Sequence, residues 1–181
     1  MNGLIPFEGD SFIPVEILAI RDRLKITTVI ETGTQFGSTT KWLGQHFKTV
    51  ATIEADPAFI DQSGDNLSAK NIALHIGLSQ EVLPNVLVKG AMYYLDAHGC
   101  EIGGCPLKEE LSILAGSQPK AIVIHDFKVP DKDFGFDAYD YELKIEEIEH
   151  LLPAIFPKGY EIKYNDQADG ACRGIIYITT L

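Results

Sequence analysis

The sequence is short of cysteine, short of positive charge and free of long apolar runs. Its three cysteines, Cys100, Cys105 and Cys172, are too few and odd in number for a disulfide framework. Against 26 Asp and Glu stand 15 Lys and Arg, a net charge of −11. Such a surface repels phosphate backbones, and no Lys/Arg cluster offsets it, so no nucleic-acid partner is expected. No apolar stretch approaches bilayer-spanning length, so no membrane partner is expected. The first ten residues carry Glu8 and Asp10 without a basic cluster, do not read as a secretory signal, and lead to the expectation of a cytoplasmic protein. No internal linker is visible, and the 181 residues suffice for one domain with a substantial core. Residues 1–181 are therefore read as a single domain, with 1–26 as an N-terminal extension and helix.

The chain is organised around Val29-Ile30-Glu31-Thr32-Gly33-Thr34-Gln35-Phe36-Gly37-Ser38-Thr39. An apolar run ends in an acid, two glycines follow, and a helical pattern begins after Gly37. The next apolar run also ends in an acid, Glu54, followed by Ala55. Glycine lets backbone approach a ligand closely and adopt positive φ. The amides at the following helix start attract an anion. A carboxylate at the second strand tip can accept both hydroxyls of a ribose. A P-loop is excluded because only three residues separate the glycines and Ser38 follows where lysine is required. The dinucleotide fingerprint lacks its middle glycine, because Gln35 stands there.

Strand-like runs recur at 27–31, 50–54, 72–76, 91–95 and 121–124, separated by helical patterns. Pro14 opens a leading helix over 15–24, and Phe7, Phe12 and Ile13 are placed to cover one end of the fold. Asp56 reads as an N-cap before Pro57, starting a helix towards Ala69, and Ser79 as the cap of a short helix that Pro84 interrupts. A further helix is expected over 141–156, then two strands at 160–164 and 174–180. The loop 127–140, with Phe134, Phe136, Tyr139 and then Tyr141, is long enough to suggest a lid. Five strand–helix repeats imply a parallel sheet covered on both faces, and two closing strands without a helix between them pair antiparallel. Ligands of such sheets sit beyond the strand carboxyl ends. Those ends carry Glu31, Glu54, Leu78-Ser79, Asp96-Ala97-His98 and His125-Asp126.

The pattern acid-x-Gly-x-x-x-Gly, with Glu31, Gly33 and Gly37, resembles motif I of the class I S-adenosylmethionine (SAM)-dependent methyltransferases. The element order from Thr27 to Leu181 is similar to their Rossmann-like α/β fold, a doubly wound, seven-stranded, mostly parallel sheet with a C-terminal antiparallel hairpin and helices on both faces. Tyr94-Leu95-Asp96-Ala97-His98, Pro106-Leu107-Lys108-Glu109-Glu110-Leu111 and His125-Asp126-Phe127-Lys128-Val129-Pro130 resemble a branch of small bacterial O-methyltransferases, the macrocin O-methyltransferase-like proteins included. The resemblance implies SAM as cofactor and an oxygen of a small molecule as methyl acceptor. It implies cofactor contacts from Glu31, Thr32, Gly33, Thr34, Gly37, Ser38, Glu54, Ala55, Leu78, Ser79 and Asp96. Many relatives carry an acid at the adenine, where this chain has Leu78 and Ser79.

Two chemistries remain open at the fourth and fifth strand ends. Asp96 and Asp126 can bind a divalent cation such as Mg²⁺ that acidifies the acceptor hydroxyl. Alternatively His98 or His125 serves as general base beside Asp96 and Asp126. Two other functions also stand: a nucleoside-binding module without catalysis, and a zinc- or thiol-dependent enzyme built on His98, Cys100 and Cys105, with Cys172 as a fourth ligand. The oligomeric state is open, a homo-oligomer included.

Overall fold

The computed structural model describes residues 5–98 and 104–181. The strands are β1 (Thr28–Thr32), β2 (Thr49–Glu54), β3 (Ile72–Ile76), β4 (Met92–Leu95), β5 (Ala121–Ile124), β6 (Tyr160–Tyr164) and β7 (Ile176–Thr180). They form one sheet in the order β3-β2-β1-β4-β5-β7-β6. The pairs β1–β2, β1–β4, β2–β3 and β4–β5 are parallel, whereas β7 runs antiparallel to both β5 and β6. The closing hairpin thus inserts its second strand next to β5 and leaves β6 at the edge. Strands β4 and β5 are buried at every position, as strands with both faces covered must be.

Alternation along the strands divides the core. Val29, Val50, Met92, Tyr94, Val123 and Tyr177 face one layer, which holds α1 (Phe12–Leu24) and α2 (Ser38–His46). Ile30, Ile53, Tyr93, Leu95, Ile122, Ile124 and Ile178 face the other, which holds α4 (Ser79–Val82), α5 (Leu107–Leu114), α6 (Ile145–Ile148) and α7 (Leu152–Ile155). Phe7 packs edge-on against Trp42 and Tyr94, closing one end as expected, with Ile13 fully buried beside it; Phe12 is exposed.

Several helix boundaries differ from the sequence pattern, each for a local reason. Helix α1 starts at Phe12 rather than after Pro14, because Asp10 Oδ1 accepts the N–H groups of Phe12 and Ile13. Asp56 does cap α3 (Pro57–Ser63), accepting from Ala58 N at 2.8 Å, but Gly64 leaves helical geometry and a 3₁₀ turn over Gly64–Leu67 replaces the expected extension. Ser79 is the first residue of α4 and not its cap. The single helix expected over 141–156 is broken into α6, a 3₁₀ turn over Glu149–Leu151, and α7. Pro153 lacks the N–H a continuous helix would need there. Upstream, Leu143 pairs with the preceding loop, donating to Asp137 O and accepting from Lys128 N. Among the described residues no helix is long and apolar enough to cross a membrane.

Candidate active site

A cleft of about 850 Å³ opens at the carboxyl ends of the parallel strands. Gly33, Thr34, Ser38, Glu54, Ala55, Leu78, Ser79, Asp96, His98 and Asp126 all line it, so most of the residues singled out in the sequence meet there. Gly33 has φ +85°, and a Cβ on it would overlap the Asp96 carbonyl oxygen. That glycine therefore allows the loop after β1 to close against the tip of β4. Glu54 is held by two backbone amides: Oε2 accepts from Gln35 N at 2.7 Å and Oε1 from Asp56 N at 2.9 Å. Each of its oxygens keeps lone-pair capacity for a further donor from the cleft.

Four of the expected site residues stand behind this surface. Glu31, Thr32, Gly37 and His125 do not line the cleft. Gly37 shapes the turn into α2 with φ +71° and packs against Leu67 and Asn66. Glu31 is fully buried, its Oε2 accepting the hydroxyls of Thr40 and Thr52 while Oε1 has no partner. Burial pushes its carboxyl up to about 8, against the opposing pull of those hydroxyls. It is therefore mostly neutral at pH 7, beneath the floor of the cleft.

A compact charged cluster occupies the β4 and β5 tips. Asp96 Oδ1 lies 3.7 Å from both His98 Nε2 and His125 Nδ1. Asp126 Oδ2 lies 3.4 Å from His98 Nε2 and 3.2 Å from His125 Nδ1. These are ion-pair separations without hydrogen-bond alignment, so both buried imidazole nitrogens lack a hydrogen bond. Burial alone would lower the His125 imidazole, but Asp96 and Asp126 outweigh it and raise it to about 9. His98 is raised in the same way. Burial lifts Asp96 to about 6, with His125 pulling the other way. Burial also acts to raise Asp126, yet the two histidines hold it far below the usual carboxylate range.

Arg173, on the loop before β7, is the main site residue that sequence reasoning missed. Its Nε donates to Asp126 and its terminal nitrogen to Asp137, and all three side chains line the cleft. Gly135 leaves room for the guanidinium, since a Cβ there would stand 2.8 Å from an Arg173 nitrogen. Glu8 reaches the same wall from the N-terminal segment, where its ligand-type oxygen lies within 4.8 Å of His125 and Asp126. No spacing rule connects such distant segments. Glu110 was also passed over, although the sequence carried a signal. It falls on the apolar stripe of Leu107, Leu111 and Leu114, and is 1% exposed.

Of the expected lid, 127–140, only Asp137 lines the cleft. Its aromatics are taken up elsewhere, with Lys128 over Phe136 and Lys132 over Phe134, while Lys108 lies over Tyr141 just beyond it. Cys105 Sγ sits 3.3 Å from Tyr141 Oη. Among the described residues no group of metal-ligand side chains includes a cysteine. Cys100, required by the zinc or thiol reading, lies outside the described residues.

No protein-family model and no curated protein matches the chain. Solved structures do. The O-methyltransferase TomG from Streptomyces achromogenes, involved in tomaymycin synthesis and crystallised with SAM, is similar at TM-score 0.67 and 13% identity, over 94% of this chain and 80% of that one. An O-methyltransferase from Bacillus cereus, crystallised with S-adenosylhomocysteine, aligns at TM-score 0.62 and 14% identity, over 94% and 81%. Precorrin 8w decarboxylase from Methanobacterium thermoautotrophicum aligns at TM-score 0.64 and 16% identity, over 99% and 97%. The chain has the Rossmann-like fold of the class I methyltransferases. At such identities the likeness extends to the fold and leaves the chemistry to the site.

Proposed function

We propose that the cleft binds S-adenosylmethionine and that the chain transfers its methyl group to an oxygen of a small-molecule acceptor. The observation that carries this reading is Glu54, whose two oxygens are fixed by the amides of Gln35 and Asp56 at the tip of β2. A carboxylate held that way is aligned to take two vicinal hydroxyls. Bound there, S-adenosylmethionine supplies an electrophilic methyl on a cationic sulfur. The chain's own task is then alignment and proton removal. Asp96 and His98 line the cleft beyond Gly33. Asp96, lifted to about 6, is more basic than an ordinary aspartate yet still ionised at pH 7, which suits a group that accepts the acceptor hydroxyl's proton. His98, His125 and Asp126 surround it with compensating charge. An acidic wall also favours a cationic cofactor over a phosphorylated one. With a net charge of −11, a small acceptor fits better than a nucleic acid.

A divalent cation is a second reading of the same cluster, favoured by the imidazole nitrogens left without hydrogen bonds. Asp96, His98 and Asp126 offer ligand atoms within 4.8 Å of one another and would hold it. Such an ion acts as a Lewis acid that lowers the pKa of an acceptor hydroxyl.

Calorimetric titration with S-adenosylmethionine tests the main proposal. The wild type binds, and Glu54→Ala weakens binding by roughly 100-fold, as expected for losing two charge-assisted hydrogen bonds. Equal affinity in the two proteins would remove the ribose role of Glu54 and the reading with it.

A further inference from the structure

Glu8 is a charged group of the cleft wall that the proposed reaction leaves unused. It stands in a turn that side-chain-bearing residues rarely adopt: Phe7 has φ +53° and Glu8 φ +52°, and Gly9 follows at φ +85°. The turn is clamped on both sides. Phe7 is buried against Trp42 and Tyr94, and its N–H donates to Thr39 Oγ1 at 3.0 Å. Glu8 O accepts from Ala171 N at 3.3 Å, and Gly170 packs so closely that a Cβ on it would stand 2.6 Å from that oxygen. Contacts from α2 and from the loop before β7 therefore fix the backbone that carries this carboxylate.

The charges around it do not balance. Four carboxylates, Glu8, Asp96, Asp126 and Asp137, stand at this end of the cleft against Arg173, His98 and His125. Even with both imidazoles protonated, one negative charge is in excess. Asp126 and Asp137 share the Arg173 guanidinium, which is therefore not free to take an anion. Asp96 and Asp126 face the two imidazoles. Among the described residues Glu8 alone of the four carboxylates makes neither a side-chain hydrogen bond nor an ion pair. On the same wall His98 Nε2, buried and without a hydrogen bond, lies between Asp96 and Asp126. The wall thus offers an unpartnered imidazole at its Asp96 end and an unpaired carboxylate at its Glu8 end.

We infer that Glu8 selects an acceptor bearing a positively charged amine, the hydroxyl to be methylated meeting Asp96 and His98 while the ammonium meets Glu8. Asp96 and Glu8 both lie beside His125, so the hydroxyl and the ammonium sit a few bonds apart, as in a hydroxylated amine. Strand order puts this end beyond the nucleoside. Glu54, Gly33 and Asp96, at the tips of β2, β1 and β4, come before Asp126 at the tip of β5, and Glu8 stands beside Asp126. A carboxylate partly removed from water is costly without a partner and gains most from a charged donor. The inference rests on the methyl-transfer reading of the cleft.

The test is calorimetric binding of three phenols of similar shape to the protein saturated with S-adenosylhomocysteine, with and without a metal chelator. The phenols are tyramine, p-ethylphenol and p-hydroxyphenylacetate: a cation, a neutral compound and an anion. The wild type binds tyramine about 10-fold tighter than p-ethylphenol, and p-hydroxyphenylacetate weakest, as expected of one half-buried charge pair. Glu8→Gln brings tyramine and p-ethylphenol to within about 3-fold of each other and leaves affinity for S-adenosylhomocysteine within about 3-fold of wild type. Glu8→Asn, a residue that accepts a left-handed turn more readily, loses the preference as well, while its melting temperature stays equal or rises. A merely structural role for Glu8 would lower the melting temperature of both variants and leave the ratio between the phenols unchanged. A wild type that binds tyramine no tighter than p-ethylphenol, or binds none of the three, overturns the inference, as does a wild-type ratio in Glu8→Gln. A preference that disappears with chelator gives Glu8 to a metal ion and overturns it too. A loss of S-adenosylhomocysteine affinity of about 10-fold in Glu8→Gln would assign the carboxylate to the cofactor instead. Failure of the wild type to bind S-adenosylhomocysteine overturns the methyl-transfer reading itself.

Discussion

The two halves of the cleft are built in different ways. The half proposed for the nucleoside comes from the β1–α2–β2 unit and the adjoining β3 tip, and its central contact joins Glu54 to amides 19 and 2 residues away. The acceptor half is assembled from distant pieces. Arg173 meets Asp126 across 47 residues, and the segment bearing Glu8 is pinned through Ser11 to Asp169, 158 residues on. The first half offers its proposed ligand few charges and much backbone. The second concentrates Asp96, Asp126, Asp137, His98, His125 and Arg173 in a small volume. The contrast suggests a division of labour, in which a local unit fixes the cofactor and long-range contacts set acceptor and chemistry independently.

The largest expected effect tests that independence. His98→Gln and Asp96→Asn should each lower kcat by about 100- to 10,000-fold, the range for losing a positioned proton acceptor or its partner. Affinity for S-adenosylmethionine should stay within about 3-fold of wild type in His98→Gln and fall by at most about 10-fold in Asp96→Asn, which removes one charge of the acidic wall facing a cationic cofactor. Methyl transfer is followed by formation of S-adenosylhomocysteine, and cofactor binding by calorimetry. Loss of cofactor affinity on the same scale as loss of turnover would break the division.

The same contrast explains what was legible in the sequence. Short apolar runs marked the strands of the sheet, and the acid-x-Gly-x-x-x-Gly loop marked the half proposed for the nucleoside, because both are encoded within a few tens of residues. Asp96 and Asp126 were visible as strand-end acids. Arg173 was not, since a loop arginine carries no periodic signal and gains meaning only when β7 lies beside β5. The helix over 141–156 was misjudged because the backbone near Leu143 pairs with a loop that period alone does not reveal. Glu110 was legible in principle: a carboxylate on an apolar helical stripe requires a partner.

Arg173 offers the next test. Arg173→Gln removes the guanidinium shared by Asp126 and Asp137 while keeping some hydrogen-bonding capacity. Freed from it, Asp126 and Asp137 repel each other and the wall loosens. Transfer efficiency, kcat/KM for the acceptor, should fall roughly 10-fold, consistent with one partly exposed charge-assisted contact. Cofactor affinity should not change. If kcat/KM is unaffected, Arg173 serves only to tie the two loops together.

The smallest effect concerns Glu31, which sits in the nucleoside half yet touches nothing in the cleft. Its folded-state pKa, pushed up to about 8, is raised above the ordinary carboxylate value, mainly by burial. A carboxyl raised in this sense contributes stability fully below its unfolded pKa and loses that contribution as pH rises through the folded value. Wild-type melting temperature should therefore carry a component that declines between about pH 5 and pH 9. Glu31→Gln keeps an oxygen for Thr40 and Thr52 but cannot ionise. Its melting temperature relative to wild type should climb steadily over that interval, by a few degrees, as expected from roughly 1 kcal/mol or more in a domain of this size. Affinity for S-adenosylmethionine should remain within about 3-fold. Parallel pH profiles would mean that Glu31 is ionised in the native state. A tenfold loss of cofactor affinity would instead return Glu31 to the cofactor contacts that the resemblance of its motif implies, and would extend the nucleoside half into the floor beneath it.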